Sequence, residues 1–364
     1  MKKLFLLVVT LLIVFLLAGC QGMFEEKYLD EGTLTFTLLK EKDGWSVKGD
    51  QKGLIVEIPS EYDGLPVKVI ADKAFYSWEK TTTIVVPNSI RIIGESAFYR
   101  NSSLTEVNIP NSLVSIGISA FESARLLSEF NLPNTLTYIG SKAFMATAIT
   151  QITIPTSITV WNHRLLAYCR ELQSIYIPPT VTELGEGVFE GCSGLTSVVL
   201  PNGLTQISNS LFSGATGITS INIPSSVTTI GNRAFSNTGL TSIVVPNTVT
   251  NMGSFVFSSN KDLASVVLPQ GRVNITEGMF AYTSKLEHLV LPNSVENIQR
   301  LAFSGSAIKT IVFPSTLKQI SSDAFESCNS LTTFYFRGTQ NQWFNVNGAT
   351  SYTNVAKVYD YTGQ

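Results

Sequence analysis

Residues 218–235 read I-T-S-I-N-I-P-S-S-V-T-T-I-G-N-R-A-F, and copies of this stretch fill most of the 364-residue chain. The proline of each copy stands at Pro87, Pro110, Pro133, Pro155, Pro178, Pro201, Pro224, Pro246, Pro269, Pro292 and Pro314. The steps are 22 or 23 residues, and a fixed period in this range is the signature of a solenoid. From proline to phenylalanine the distance is eleven, as in Pro110 to Phe121, Pro201 to Phe212 and Pro314 to Phe325. The length variation follows the phenylalanine: Phe98 precedes Leu104 by six residues, whereas Phe144, Phe235 and Phe303 precede Ile149, Leu240 and Ile308 by five. That segment is expected to be a surface turn, because turns absorb a one-residue change and packed strands do not.

Each copy divides into three short pieces. Ile221 and Ile223 alternate around a polar residue, as in a strand with one buried face. Pro224 ends that strand, since it brings no N–H to a ladder. Val227 and Ile230 form a second, shorter extended piece, and Gly231 is read as permitting a sharp turn. Ala234-Phe235 is expected in an abbreviated helical turn. One copy offers too few inward apolar side chains to offset the entropy of ordering its backbone, so neighbours must bury each other's faces. Equivalent residues then stack in columns about 4.8 Å apart, and thirteen rungs make a rod or shallow arc about 55–60 Å long.

The recurring pattern L-x-x-I-x-I-P-x-S-V-T-x-I-G-x-x-A-F-x-x-C, over roughly residues 54–337, resembles the BspA-like surface-antigen family of bacterial leucine-rich repeats. The resemblance implies a mainly β repeat solenoid, right-handed, with a parallel sheet along one side. It also implies exported, surface-attached proteins that bind host proteins, matrix or other cells, with no particular ligand fixed.

The ends differ from the repeats. Residues 1–19 are read as a leader: Lys2 and Lys3, then an apolar run from Leu4 to Leu17 that is short for a spanning helix. It closes on Leu17-Ala18-Gly19-Cys20, which resembles the lipobox of bacterial lipoproteins and implies an acylated Cys20 as the membrane anchor. Residues 20–32 are read as a tether and 33–57 as an N-terminal cap hairpin, where alternation around Leu34, Phe36 and Leu38 is followed by Asp43-Gly44 and Trp45. The solenoid is placed at 58–337; its first unit is irregular, with a turn-like insertion from Glu61 to Pro66. Residues 338–364 are read as a C-terminal cap containing Trp343-Phe344 and one further strand after Val355.

Charged residues make up only 14% of the chain, and the formal net charge of −2 falls to −4 once Lys2 and Lys3 leave with the leader. A sparsely charged, weakly acidic surface argues against nucleic acid as a partner. The two histidines, His163 and His288, lie five or six rungs apart, and no phosphate-cradling glycine loop or calcium-binding glycine-aspartate repeat is present. No cofactor, metal site or catalytic residue is expected. Cys169, Cys192 and Cys328 share a column three residues after the phenylalanine, where Asn101, Ala124, Thr147, Ala215, Asn260, Thr283 and Ser306 stand elsewhere. This reads as a buried turn position with free thiols, although Cys169 and Cys192 on adjacent rungs are near enough to bridge. The unit from Pro155 to Pro178 departs most, with Trp161 for the inward isoleucine, Asn162 for glycine and Leu166 for phenylalanine. A local break in a regular pattern can mark function, but a larger Trp161 balancing a smaller Leu166 is the favoured account.

The candidate binding face is the outward strand column, Asn108, Asn131, Thr153, Tyr176, Val199, Asn222, Val244, Val267, Val290, Val312 and Tyr335. Its binding residues are taken as Tyr176, Val199, Val244, Val267, Val290, Val312 and Tyr335, because apolar side chains on successive rungs form an exposed patch. Valine and threonine also simply suit strands. The functional expectation is a lipid-anchored, non-enzymatic bacterial surface protein, exterior-facing, that binds a protein or glycan partner in adhesion. The alternatives are a structural or envelope-assembly component and, behind it, a glycan-active enzyme. Oligomeric state is left open.

Overall fold

Proline, glycine and phenylalanine recur at fixed intervals because each stands where one rung meets the next. The computed structural model describes residues 34–49, 53–271 and 274–363. These residues coil into a β-solenoid with almost no helix. Within the regular units its parallel pairings run between residues 22 or 23 apart, as in Ser174 with Ser197, Gln206 with Thr229 and His288 with Thr310; at the ends the step lengthens, as in Ile55 with Thr83.

Each turn of the coil has three sides. The first carries short strands before the proline, such as Ser242–Val244 beside Ser265–Val267. The second carries the piece ending in the inward isoleucine, such as Gln206–Ile207, Thr229–Ile230 and Asn251–Met252. The third holds the Ala-Phe segment. The expected abbreviated helical turn takes the form of successive tight turns, and alternate N–H groups reach the next rung. Ser96, Phe98 and Arg100 donate to the carbonyls of Ile118, Ala120 and Glu122, each at 2.8 Å. To aim these groups, residues two before and two after the phenylalanine take left-handed backbone, as Ser96 (φ 54°) and Arg100 (φ 57°) do. Non-glycine residues in that region cost roughly 1 kcal/mol or more each, so the cross-rung hydrogen bonds hold them there.

The first-side sheet is not continuous. Strands Ile55–Glu57, Thr83–Val85 and Glu106–Val107 form one piece, and Ser174–Ile175 with Ser197–Val198 another. A third piece pairs Ser242–Val244 with Ser265–Val267, and a last one holds His288–Val290, Thr310–Phe313, Thr333–Phe336 and Ala356–Val358. The reference copy, at Ile221 to Ile223, is not itself in a strand.

Burial of the phenylalanines makes the core. Phe75, Phe98, Phe121 and Phe144 stack nearly parallel, and Phe189, Phe212, Phe235, Phe257, Phe280, Phe303 and Phe325 do the same, with successive centroids 4.9–5.9 Å apart. Between the two runs stands Leu166, fully buried, and the fully buried Trp161 fills the space beside it, edge-on to Phe189 at 6.1 Å. This is the volume exchange that the sequence indicates.

Gly231 is required for a different reason from a sharp turn. Its φ is not positive, but a Cβ there would lie 2.6 Å from the backbone nitrogen of Asn209 one rung before. Gly117 and Gly140 meet the preceding rung in the same way, at 2.6 and 2.5 Å. The column is glycine because two backbones approach closely. At some positions where it is not glycine, a polar side chain bonds the preceding rung: Asn162 Nδ2 donates to the Ile139 carbonyl and Thr276 Oγ1 to that of Gly253, both at 2.6 Å.

At the N-terminal end Leu34–Leu38 runs antiparallel to Trp45–Gly49, which lies parallel to Leu65–Ile70. Asp43-Gly44 is not its two-residue turn: the loop spans residues 39–44, with Lys42 left-handed (φ 55°), and Asp43 pairs with Lys68 at 2.6 Å. The tight Asp-Gly turn is Asp63-Gly64 (φ 49° and 79°), so the insertion in the first unit is itself a hairpin, Glu61–Tyr62 on Leu65–Ile70. Tyr62 stacks on Phe36 at 4.1 Å. At the other end Thr339 caps a short helix, Gln340–Phe344, through a capping box. Buried Trp343 packs on Phe334 and Phe336, and Ala356–Val358 adds a last parallel strand.

Candidate functional site

The outward column of the first side lies between inward residues, because side chains alternate along a strand. Tyr176 is 67% exposed, Val199 77%, Val244 64%, Val267 50% and Val290 44%. Register places Val244 beside Val267, and Val290 beside Val312. Val312 departs from expectation: only 6% of it is exposed. It remains outside the central hydrophobic cluster and pairs in register with Val290 and Tyr335. The larger Tyr335, half-buried and lying on Tyr361 at 4.5 Å, belongs to the covered end of the face. The apolar strip therefore fades toward the C-terminal cap, and its open part runs from Tyr176 to Val290.

Threonines beside the strip are occupied with structure. Thr105, Thr196 and Thr332 donate to the carbonyls of Thr82, Gln173 and Lys309 at 3.1–3.2 Å. A second hydroxyl row, two residues after the proline, does the same: Ser112 to Ile90, Thr135 to Leu113 and Ser226 to Leu204, at 2.6–2.7 Å. Its signal is the Ser or Thr of the P-x-S-V motif.

The breaks in the first-side sheet matter for recognition, because depressions open there. One is lined by Glu129, Asn131, Gln151, Thr153, Ser174 and Tyr176. Another lies among Ser197, Ser220, Asn222 and Val244, and a third between Val267 and Val290, with His288 at its edge. The sequence marks the first of them with Phe130 where the unit before has Val107, and with the shorter turn between Phe144 and Ile149.

The cysteine column is structural. Cys169 Sγ donates to the Phe144 carbonyl, Cys192 Sγ to that of Leu166 and Cys328 Sγ to that of Phe303, at 2.9–3.1 Å. All three are free thiols. Burial pushes the Cys169 pKa up to about 11 and that of Cys192 well above its ordinary value, which leaves both poor nucleophiles. Asn260 serves the same column with more bonds: Oδ1 accepts from the Thr238 N–H at 2.7 Å, and Nδ2 donates to the Phe235 carbonyl at 2.8 Å.

Ionisable groups form only local contacts. His163 Nδ1 accepts from the Glu186 N–H at 3.0 Å, and His288 Nδ1 lies 2.7 Å from Thr310 Oγ1. Arg164 pairs with Glu190 at 3.1 Å, and the Tyr168 hydroxyl donates to Glu190 at 2.7 Å, a bond that raises the tyrosine's pKa. Among the described residues no three histidine, cysteine, aspartate or glutamate side chains cluster as metal ligands. Nor is any helix among them long and apolar enough to cross a membrane. Cys20 and the leader lie outside the described residues.

The family model described as BspA type leucine rich repeat region, in six copies, matches residues 68–196, 185–308 and 273–354. Among solved structures, a leucine-rich repeat protein from Bacteroides ovatus is 25% identical, with a TM-score of 0.67 over 93% of this chain and 100% of its own. A leucine rich cell surface protein from Faecalibacterium prausnitzii is 23% identical, with a TM-score of 0.66 over 91% of this chain and 99% of its own. The pneumococcal vaccine antigen PcpA is 19% identical, with a TM-score of 0.62 over 94% and 99%. No curated protein matches the chain.

Proposed function

The chain belongs to the BspA type leucine-rich repeat family, and from that premise we propose that it is a non-enzymatic bacterial surface protein, lipid-anchored through Cys20, that binds a partner protein through the exposed strip from Tyr176 to Val290. The observation that carries this reading is the strip itself. Large apolar side chains 44–77% exposed recur on the rungs of the solenoid, with Val244 and Val267 paired in register. A solenoid presents such a column at fixed spacing, which suits an extended protein surface better than a small molecule. The anchor reading rests on Leu17-Ala18-Gly19-Cys20 behind a basic start and an apolar run.

The strip is tested with Val267→Asp combined with Val290→Asp. Both positions are exposed, so stability is expected to change by within about 1 kcal/mol, as read by thermal melting. Binding to matrix proteins and to whole cells is expected to fall to background, because a charge desolvated at an apolar contact is costly. Unaltered binding with unaltered melting would remove the strip from the interface.

The anchor is tested separately. Cys20→Ala is expected to abolish incorporation of radiolabelled fatty acid and to release the protein from the membrane fraction. Labelling that persists in the variant would contradict acylation at this residue.

A further inference from the structure

Successive rungs bind each other by backbone hydrogen bonds, and on the first side this contact lapses at residues 128–132 and 151–154. Neither stretch is in a strand, and among the described residues none of their N–H groups reaches another backbone carbonyl. One rung earlier the outward asparagine closes the contact itself: Asn108 Nδ2 donates to the Val86 carbonyl at 2.6 Å, and Asn108 Oδ1 accepts from the Val86 N–H at 2.7 Å. Asn131, in the same column, makes no such bond. Phe130, where the unit before has Val107, packs edge-on between Phe121 and Phe144, with centroids at 5.0 and 4.6 Å; the ladder lapses again at 219–223, where no such ring is present.

The result is a groove of about 510 Å³ lined by Glu129, Asn131, Gln151, Thr153, Ser174 and Tyr176, within the usual range for ligand sites. Glu129, Asn131, Gln151 and Thr153 are exposed, and none is engaged in a side-chain hydrogen bond within the described chain. Some polar side chains of the same kinds are bonded to neighbouring rungs, as Asn108 and Thr196 are; here four unbonded ones gather in one groove.

We propose that this groove binds a neutral oligosaccharide, with one sugar ring resting on Tyr176 and hydroxyls bonded to Glu129, Asn131, Gln151 and Thr153. A sugar hydroxyl both donates and accepts. The amides of Asn131 and Gln151 and the hydroxyls of Thr153 and Ser174 answer both roles, and Glu129 accepts. Tyr176 offers a wide apolar face with a polar tip to the C–H side of a pyranose. The unpaired backbone N–H and carbonyl groups add further partners along the groove. One carboxylate and no cationic side chain line it, which disfavours sulfated or phosphorylated chains. The groove shares Tyr176 with the exposed strip but none of its valines, so it stands whether or not those valines bind a protein.

The test is isothermal calorimetry of the full chain with soluble hexasaccharides of glucose, mannose, galactose and N-acetylglucosamine. Saturable binding of at least one is expected. Tyr176→Ala, and Asn131→Ala combined with Gln151→Ala, should each weaken it about tenfold with no change in melting temperature, whereas Val267→Asp with Val290→Asp leaves it intact. Absence of binding to all four sugars up to about 10 mM overturns the proposal, and so does binding that survives both groove variants or is lost only in the valine variant. Capture of extended peptides in place of sugars, lost in the Asn131 and Gln151 variant, also overturns it and assigns the open backbone to strand pairing.

Discussion

Deletion of residues 195–217, one whole rung, leaves a protein with β-rich circular dichroism and a single cooperative thermal transition. The new junction, Gly194 to Ile218, repeats the natural Gly217 to Ile218. Ser174, which pairs with Ser197 in the native chain, then faces Ser220, and Phe189 meets Phe235 in place of Phe212. Every column closes on an equivalent residue, so the loss is limited to one rung and its interface. Deletion of residues 195–205 has the opposite outcome. It moves Phe212 to where Pro201 stood, sets the following hydrogen-bond donors against the wrong acceptors and turns apolar side chains out of the core. The cooperative transition is expected to vanish or to split into two stacks. Equal tolerance of the two deletions would contradict a rung-by-rung fold.

Phe235→Ala is expected to lower stability by roughly 3–5 kcal/mol, measured by urea denaturation. The ring is fully buried and lies between Phe212 at 5.8 Å and Phe257 at 5.9 Å, so its removal leaves a cavity lined by two rings that cannot approach each other. The rungs above and below fix that separation, because the Phe235 N–H is bonded to the Val256 carbonyl at 3.1 Å and this bond survives the substitution. The chain contains its own control at Leu166, where a missing ring is offset by Trp161. A loss below about 1 kcal/mol would mean that the stack relaxes freely and is not a close-packed core.

The proline and phenylalanine markers made the solenoid legible because both report on packing: proline on where a ladder ends, phenylalanine on what fills the centre. The cysteine column was legible for the same reason, since Cys, Asn, Thr and Ala share only small size and the ability to sit beside a carbonyl. The left-handed residues were not legible. Ser96, Lys142, Phe255 and Leu301 carry no glycine signature, because neighbouring rungs impose the conformation and the residue does not choose it. Gly231 was seen and given the wrong physical cause, since a sequence does not show what a Cβ would strike. Val312 was expected to be exposed and is only 6% so; it lies in register with Tyr335, on which Tyr361 of the C-terminal cap rests. The polar groove was not legible because its marks, Phe130 for Val107 and the short turn before Ile149, read as ordinary core and loop variation.

The hairpin at the N-terminal end has a consequence for behaviour at high concentration. A stack of parallel rungs exposes, at each end, a template onto which another chain's rung could add, and repetition of that step gives a fibre. Leu34–Leu38 runs antiparallel to its neighbour, so an incoming parallel rung finds strand polarity reversed and the repeat spacing absent. On the second side, addition at that end is opposed by strand direction. Removal of residues 34–49 is therefore expected to favour end-to-end elongation of the coil, read as a concentration-dependent increase in size by light scattering.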